Sequence, residues 1–480
     1  MTTVRYRQLY IGGRWTDTAG SDEYVVRSPH DGTEVGRAPV ATTADVDEAV
    51  TAARRAFDEG PWPRLPVAER IAAVERLSAA YQSRSDELAA LISSENGSPL
   101  TFSQLGQVGA IPFLMAGFVD AARALAWEEP LPGLMGESRL WREPVGVVAA
   151  VTAWNVPQLL INGKLIPALL AGCTVVVKPP SETALDALVL AELVDTLGLP
   201  QGVVSIVPGG PEAGAHLVGH PGVDKVTFTG STAVGRRIGA VCGEQLKRVS
   251  LELGGKSAAI VLDDADPART AQGLRFASFM NNGQACAAQT RVLAPRSRYA
   301  EVVDALAAAV ESFVVGDPLD PATEVGPLVS RRQQERVLDY VRLGREAGAR
   351  VVVGDAPLPA DLAAGNYVAP TLFAEVDNGM RVAQEEIFGP VLVVIPYDDE
   401  DDAVRLANDS AYGLGGSVWT ADSAHGLEVA RRIRTGMFGV NRFGPDVSAP
   451  FGGYKASGVG REYGREGLNA FVELKTVHGA

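Results

Sequence analysis

The chain has 480 residues. At roughly 150 residues per domain, that length implies two or three domains. Lys and Arg number 43 against 58 Asp and Glu, a formal net charge of −15, which argues against a nucleic-acid or anionic-membrane surface. With 46% hydrophobic and 21% charged residues, the composition is that of an ordinary globular protein and excludes wholesale disorder.

Residues 1–40 read as short strands and turns, punctuated by Gly12-Gly13, Pro29 and Asp31-Gly32. MTTVRYRQLYIGGRW at the start contains no apolar stretch of signal-peptide type, so no secretory signal is expected. Helical patterning begins near 42, with Thr42 or Thr43 as N-cap and acidic residues in the first turn. A second amphipathic helix follows through VAERIAAVERLSAAYQSRSDELAALISSE. Between 145 and 262, short Val-rich runs alternate with helix-length segments. The runs are VGVVAAVTAW (145–154), TVVVKP (174–179), VVSIVPG (203–209), KVTFTG (225–230) and AAIVLDD (258–264). Such alternation predicts crossover units and a parallel sheet covered on both faces, hence an α/β fold. Ligands on these sheets bind beyond the carboxyl ends of the strands, so the loops after each run are the places to search. A second alternating region starts near 265, with helices around 267–282, 299–312 and 330–348. A third strand group includes PVLVVIPY and GGSVWT.

The three cysteines, Cys173, Cys242 and Cys286, are too few for a disulfide framework and suggest a reducing, cytoplasmic setting. The longest apolar stretches, such as IPALLAGCTVVV (166–177), fall short of the roughly 18 residues a spanning helix needs. No membrane or nucleic-acid partner is therefore expected.

Several segments could carry chemistry. Cys286 lies among small residues in NNGQACAAQTR, where another molecule could approach the sulfur; a buried structural cysteine is the alternative. Glu252, in SLELGGKS, ends an apolar strand and could be a desolvated base or a salt-bridged surface residue. FTGSTAVGRRI (228–238) reads as strand, turn and helix start, a possible phosphate-binding terminus without the G-x-G-x-x-G spacing. GVGREYG (458–464) resembles a dinucleotide glycine motif, but no apolar strand precedes it, so a loop is expected. His216 and His220 in HLVGH lack an acidic third ligand; an exposed loop end is expected there and no metal site anywhere.

Taken together, TAWNVP (152–157), VVVKPPSE (175–182), FTGSTAVG (228–235), LELGGK (251–256), GQACAAQTR (283–291), EEIFGPV (385–391) and PFGGYKASGVGREYG (450–464) resemble the aldehyde dehydrogenase superfamily, in matching order. The type most resembled is NAD(P)-dependent and hydrolytic rather than CoA-acylating.

The resemblance implies a Rossmann-like cofactor domain over 1–122 and 145–254, and an α/β catalytic domain over 255–465. A small β oligomerisation extension over 123–144 and 466–480 would complete a homo-oligomer, tetramer or dimer. It implies that Cys286 attacks the aldehyde, Asn155 stabilises the oxyanion, and Glu252 activates water against the thioester. Trp154, Lys178, Ser181, Gly230, Ser231, Glu386 and Phe388 match cofactor positions. Ser181 stands where many NAD-preferring members carry a glutamate, so NAD with some NADP acceptance is expected. Val156, Leu160, Gly163, Ala285, Ala287, Phe443 and Phe451 match the tunnel wall and suggest medium-sized aliphatic or aromatic aldehydes. A silent relative acting as a binding protein, or a thiol esterase side activity, are the alternatives.

Overall fold

The computed structural model describes residues 4–134 and 136–479. An eight-stranded sheet runs, edge to edge, 458–459, 248–252, 225–229, 147–151, 174–178, 204–206, 8–11 and 14–17. The five strands from 248–252 to 204–206 are parallel, and the two N-terminal strands add antiparallel at one edge. Their Val-rich sequences follow from burial on both faces. Val148, Ala150, Val175 and Val177 pack into one core, whereas Val147, Ala149, Val151 and Val176 pack into the other. Successive residues alternate between the two cores, as the two-residue period of a strand demands.

The chain fills this sheet outward from Val147–Val151, first through 174–178 to 204–206, then on the other side through 225–229 to 248–252. The order therefore reverses beside Val147–Val151, which opens a crevice at the carboxyl ends of that strand and of Lys225–Thr229.

A seven-stranded sheet follows the order 350–353, 371–374, 391–397, 291–295, 258–261, 416–419 and 439–440. The strands read as a separate third group belong to this one sheet, because Arg291–Pro295 pairs in parallel with Val391–Tyr397, and Ala258–Val261 with Gly416–Trp419. Ala258–Val261 also leaves the first sheet's company. A three-stranded antiparallel sheet joins Glu128–Gly133, Gly136–Pro144 and Val472–His478. Leu131 and Leu474 are exposed on it.

Two further expectations need correction. The helix expected over 267–282 ends at Phe279, where left-handed residues take over. The helical run Leu100–Ala124 is long and apolar enough to span a membrane by length and composition, unlike the shorter runs weighed from sequence. Its breaks at Ser103–Gln107 and Pro112 hid its length. Its last part packs on the helices Val67–Gln82 and Pro157–Ala171, and Leu114, Met115 and Phe118 are buried there.

Candidate active site

The crevice is walled by opposite ends of the two sheets. From the first sheet come carboxyl-end segments: Trp154 and Asn155 after Val147–Val151, Gly230 and Ser231 after Lys225–Thr229, and Glu252 at the end of Arg248–Glu252. From the second come segments that precede strands: Cys286 before Arg291–Pro295, and Glu386 and Phe388 before Val391–Tyr397. Hydrogen bonds stitch the walls together. Asn155 Nδ2 donates to the Gln284 carbonyl (3.0 Å), and the Gly255 N–H donates to Glu386 Oε1 (3.0 Å).

Cys286 is half-buried, whereas Cys173 and Cys242 are buried. Burial pushes its thiol up to about 12, and the charges of Glu386 and Glu252 push the same way. The N–H groups of Ala287 and Cys286 oppose that shift. The resting sulfur is therefore a thiol close to two carboxylates. The loop reaches this position through three consecutive left-handed residues, Asn281, Asn282 and Gly283 (φ 53°, 60° and 72°). Asn tolerates that region better than most residues, and a side chain at Gly283 would strike the Gly389–Pro390 backbone. Asn282 is pinned there, donating to the carbonyls of Gly97 (2.8 Å) and Pro327 (2.9 Å) and accepting from the Gly326 N–H (2.7 Å).

Asn155 is held from behind by residues to which the sequence reading gave no role. Its backbone carbonyl accepts from Asn281 Nδ2 (2.7 Å) and Asn96 Nδ2 (3.3 Å). Ser98 Oγ donates to Asn281 Oδ1, and Gln107 Nε2 donates to Ser98 Oγ (2.9 Å). All four of these side chains are buried. Gln107 closes the π-helical stretch Ser103–Gln107, a distortion frequent at functional sites. The Asn281-Asn282-Gly283 run was the available signal, since residues suited to left-handed backbone cluster there.

Glu252 is 3% exposed, and its Oε2 has no hydrogen-bond partner. It is thus not the salt-bridged surface residue weighed as an alternative. Burial holds its carboxyl well above the ordinary range, and the Glu462 carboxylate adds to the effect; Lys164 and Arg461 oppose it. Glu462 itself forms a buried ion pair with Lys164, which also donates to Thr229 Oγ1 (2.6 Å).

Around the cofactor positions, Lys178 is buried, donates to the carbonyls of Pro179 (3.0 Å) and Gly209 (2.8 Å), and is pushed down to about 8 by that burial. Ser181 Oγ donates to Glu182 Oε2 (2.9 Å), which brings a carboxylate to the serine that replaces the usual glutamate. Ser231 caps the helix Thr232–Glu244, accepting from the Val234 N–H (3.4 Å). Phe388 is left-handed (φ 63°) and stands edge-on to Trp154 with ring centroids 5.4 Å apart. Gln333 Nε2 donates to its carbonyl (2.7 Å), which helps hold that strained backbone. Burial pushes the half-buried Glu386 up to about 7, despite the Gly255 N–H and the charges of Arg336 and Lys256.

Of the tunnel positions, Val156, Ala287, Phe443 and Phe451 belong, with Cys286 and Tyr463, to the large apolar cluster that packs one face of the first sheet. Ala285 is half-buried beside Cys286, and Leu160 is buried but lies outside that cluster. Gly163 does not face open space: an added Cβ would stand 2.7 Å from Tyr463 Cε1, so the tyrosine ring occupies that side. His216 is not on a loop end but in the helix Pro211–Gly219, and both it and His220 contact Asp47 (2.6 and 3.3 Å). GVGREYG is not wholly loop, because Gly458-Val459 pairs antiparallel with Leu251-Glu252.

The sequence profile of the aldehyde dehydrogenase family matches residues 15–477. The chain is 46% identical to a geranial dehydrogenase from Castellaniella defragrans over 99% of each chain. It is 49% identical to a Mycobacterium tuberculosis aldehyde dehydrogenase solved with NAD+, covering 99% of this chain and 98% of that one at a TM-score of 0.97. A Pseudomonas syringae aldehyde dehydrogenase variant, solved with NAD+ and octanal, is 39% identical over 98% of this chain and 96% of its own, at a TM-score of 0.93. With its crevice, thiol and buried carboxylate in place, the chain belongs to the aldehyde dehydrogenase family.

Proposed function

We propose that this chain oxidises an aldehyde to the carboxylic acid with NAD+, through covalent catalysis at Cys286. The observation that carries the reading is the meeting of three groups in one crevice: a half-buried thiol, an amide bonded to the thiol's own loop, and a buried carboxylate with a free oxygen. The sulfur adds to the carbonyl carbon. Asn155 Nδ2 and the Cys286 N–H are the donors for the oxygen that gains charge, a role worth about 2.7–4 kcal/mol per donor. Attack requires loss of the thiol proton, which passes to solvent because Cys286 is only half-buried. The acyl group left as a thioester on Cys286 is released by water that Glu252 deprotonates.

The residues fit a dinucleotide. The helix start after Gly230-Ser231 offers unpaired N–H groups to a pyrophosphate. The Glu386 carboxylate, aligned by Gly255, suits a ribose, and Lys178 the adenosine side. When bound, NAD+ supplies the acceptor for the hydride. NADP is also accepted, because Ser181 carries no charge, although Glu182 beside it keeps NAD ahead. The tunnel positions, apolar and without a charged anchor, suit medium-sized aliphatic or aromatic aldehydes; the relatives named for geranial and solved with octanal support that choice. A panel read at 340 nm tests it: hexanal and benzaldehyde are turned over faster than succinic semialdehyde, and the reverse order overturns the substrate assignment.

The division into a cofactor domain (1–122, 145–254), a catalytic domain (255–465) and an extension (123–144, 466–480) is supported by the separate sheets, except that Gly458-Val459 of the catalytic stretch pairs with the first sheet. Exposed Leu131 and Leu474 support sharing of the small sheet in a dimer or tetramer. Three free cysteines support a reducing, cytoplasmic location.

A further inference from the structure

One face of the helix Arg331–Glu346 lies along the loop that carries Glu386 and Phe388. Gln333 Nε2 donates to the carbonyls of Phe388 (2.7 Å) and Ile387 (3.3 Å). Arg336 donates through Nη2 to the Glu386 carbonyl (2.6 Å) and through Nε to that of Ile387 (3.4 Å). A Cβ on Gly389 would stand 2.5 Å from Val337 Cγ2, so the loop's next residue packs directly on the helix. Tyr340 donates its hydroxyl to Glu385 Oε2 (2.6 Å), and the Arg336 guanidinium lies over the Tyr340 ring, 5.2 Å from its centroid. Positions 333, 336, 337 and 340 share one side of a helix, so residues 385–389 are all met by a single face.

Among the described residues, the carbonyls of Glu386, Ile387 and Phe388 accept from no backbone N–H, so these side chains are what holds the loop's backbone. The Glu386 carboxylate points the other way, to the Gly255 N–H of the opposite wall (3.0 Å). Phe388 is left-handed (φ 63°), and a phenylalanine keeps that backbone only where its surroundings hold it. We infer that Gln333 and Arg336 are positioning residues for hydride transfer, acting through the loop backbone to set the Glu386 carboxylate and the Phe388 ring against the nicotinamide half of the cofactor. The inference rests on the assignment of NAD+ to this crevice. A slack loop leaves the dinucleotide bound by its other half, at Lys178 and the Gly230-Ser231 helix start. The reacting ring loses its alignment, and a misplacement of about 1 Å can cost about a hundredfold in rate. The hydride step suffers, and affinity for NAD+ does not.

Stopped-flow NADH bursts with hexanal test this in the full-length enzyme. Gln333→Met keeps the side-chain length without the donor. Its burst rate is expected to fall at least about tenfold, while the Kd for NAD+ by fluorescence titration stays within about threefold. Deuterium on the aldehyde carbon should slow the variant's burst more than the wild type's. Hydrolysis of p-nitrophenyl acetate without cofactor, which uses Cys286 and Glu252 but transfers no hydride, should keep its rate. Arg336→Met should show the same pattern, and Arg336→Lys, which retains a donor, should recover the burst. Arg336 is exposed, so this pair decides the question even if Gln333→Met fails to fold. An unchanged burst, a weaker Kd that accounts for the whole loss, or an equal loss of ester hydrolysis overturns the inference. A wild-type enzyme that gives no NADH burst with any aldehyde would overturn the reaction assigned to the crevice, and this inference with it.

Discussion

The two sheets meet at the same crevice but offer it opposite ends. The first presents the carboxyl ends of its strands, as open parallel sheets do, and contributes Asn155, Lys178, Ser231 and Glu252. The second presents the segments before its strands, and contributes Cys286 and Glu386. A search confined to loops that follow strands therefore finds Asn155 and Glu252 but misses the nucleophile. The difference also has a mechanical side. Asn155 lies on the first wall, yet its carbonyl and its amide are both fixed by the second, through Asn281 and Gln284. The oxyanion donor is thus positioned by the loop that carries the nucleophile.

That division of labour can be broken residue by residue. On the second wall, Cys286→Ala should abolish aldehyde-dependent NADH formation while leaving NAD+ binding by fluorescence titration intact. On the first, Glu252→Gln should leave a burst of NADH and slow steady turnover by about 10²–10⁴-fold, the usual worth of a general base. Its wild-type counterpart should lose kcat on acidification at a pH above the ordinary carboxylate range, because the raised Glu252 must be ionised to act, and the glutamine variant should lack that limb. Across the junction, Asn281→Ala should lower kcat by about tenfold to a hundredfold with little change in KM for NAD+. It leaves the buried Asn155 carbonyl short of a donor, a loss of about 1–3 kcal/mol. A KM effect without a kcat effect would mean the amide serves only the fold. Ser181→Glu should have the smallest effect on NAD+ turnover and should reduce NADP use. For the wild type, an NAD preference above about 1000-fold in kcat/KM, roughly 4 kcal/mol, would reject NADP acceptance.

The first sheet is readable in the sequence because its strands are buried on both faces and leave continuous Val-rich runs such as Val147–Val151 and Thr174–Lys178. The second is harder, because Arg291–Pro295 pairs with Val391–Tyr397 about a hundred positions away, and periodicity carries no record of such pairing. Individual site residues stand out where chemistry constrains a short segment, as with Cys286 among small neighbours. The residues that hold Asn155 do not, because Asn96, Ser98 and Gln107 act through hydrogen bonds set by tertiary packing. At Gly163 the neighbour is the Tyr463 ring, another tertiary contact that local sequence does not record.

Mass spectrometry of the Glu252→Gln enzyme, quenched after mixing with hexanal and NAD+, tests the central claim most directly. The account expects a hexanoyl adduct on the peptide that carries Cys286. No acyl adduct, or one on Cys173 or Cys242, would contradict it.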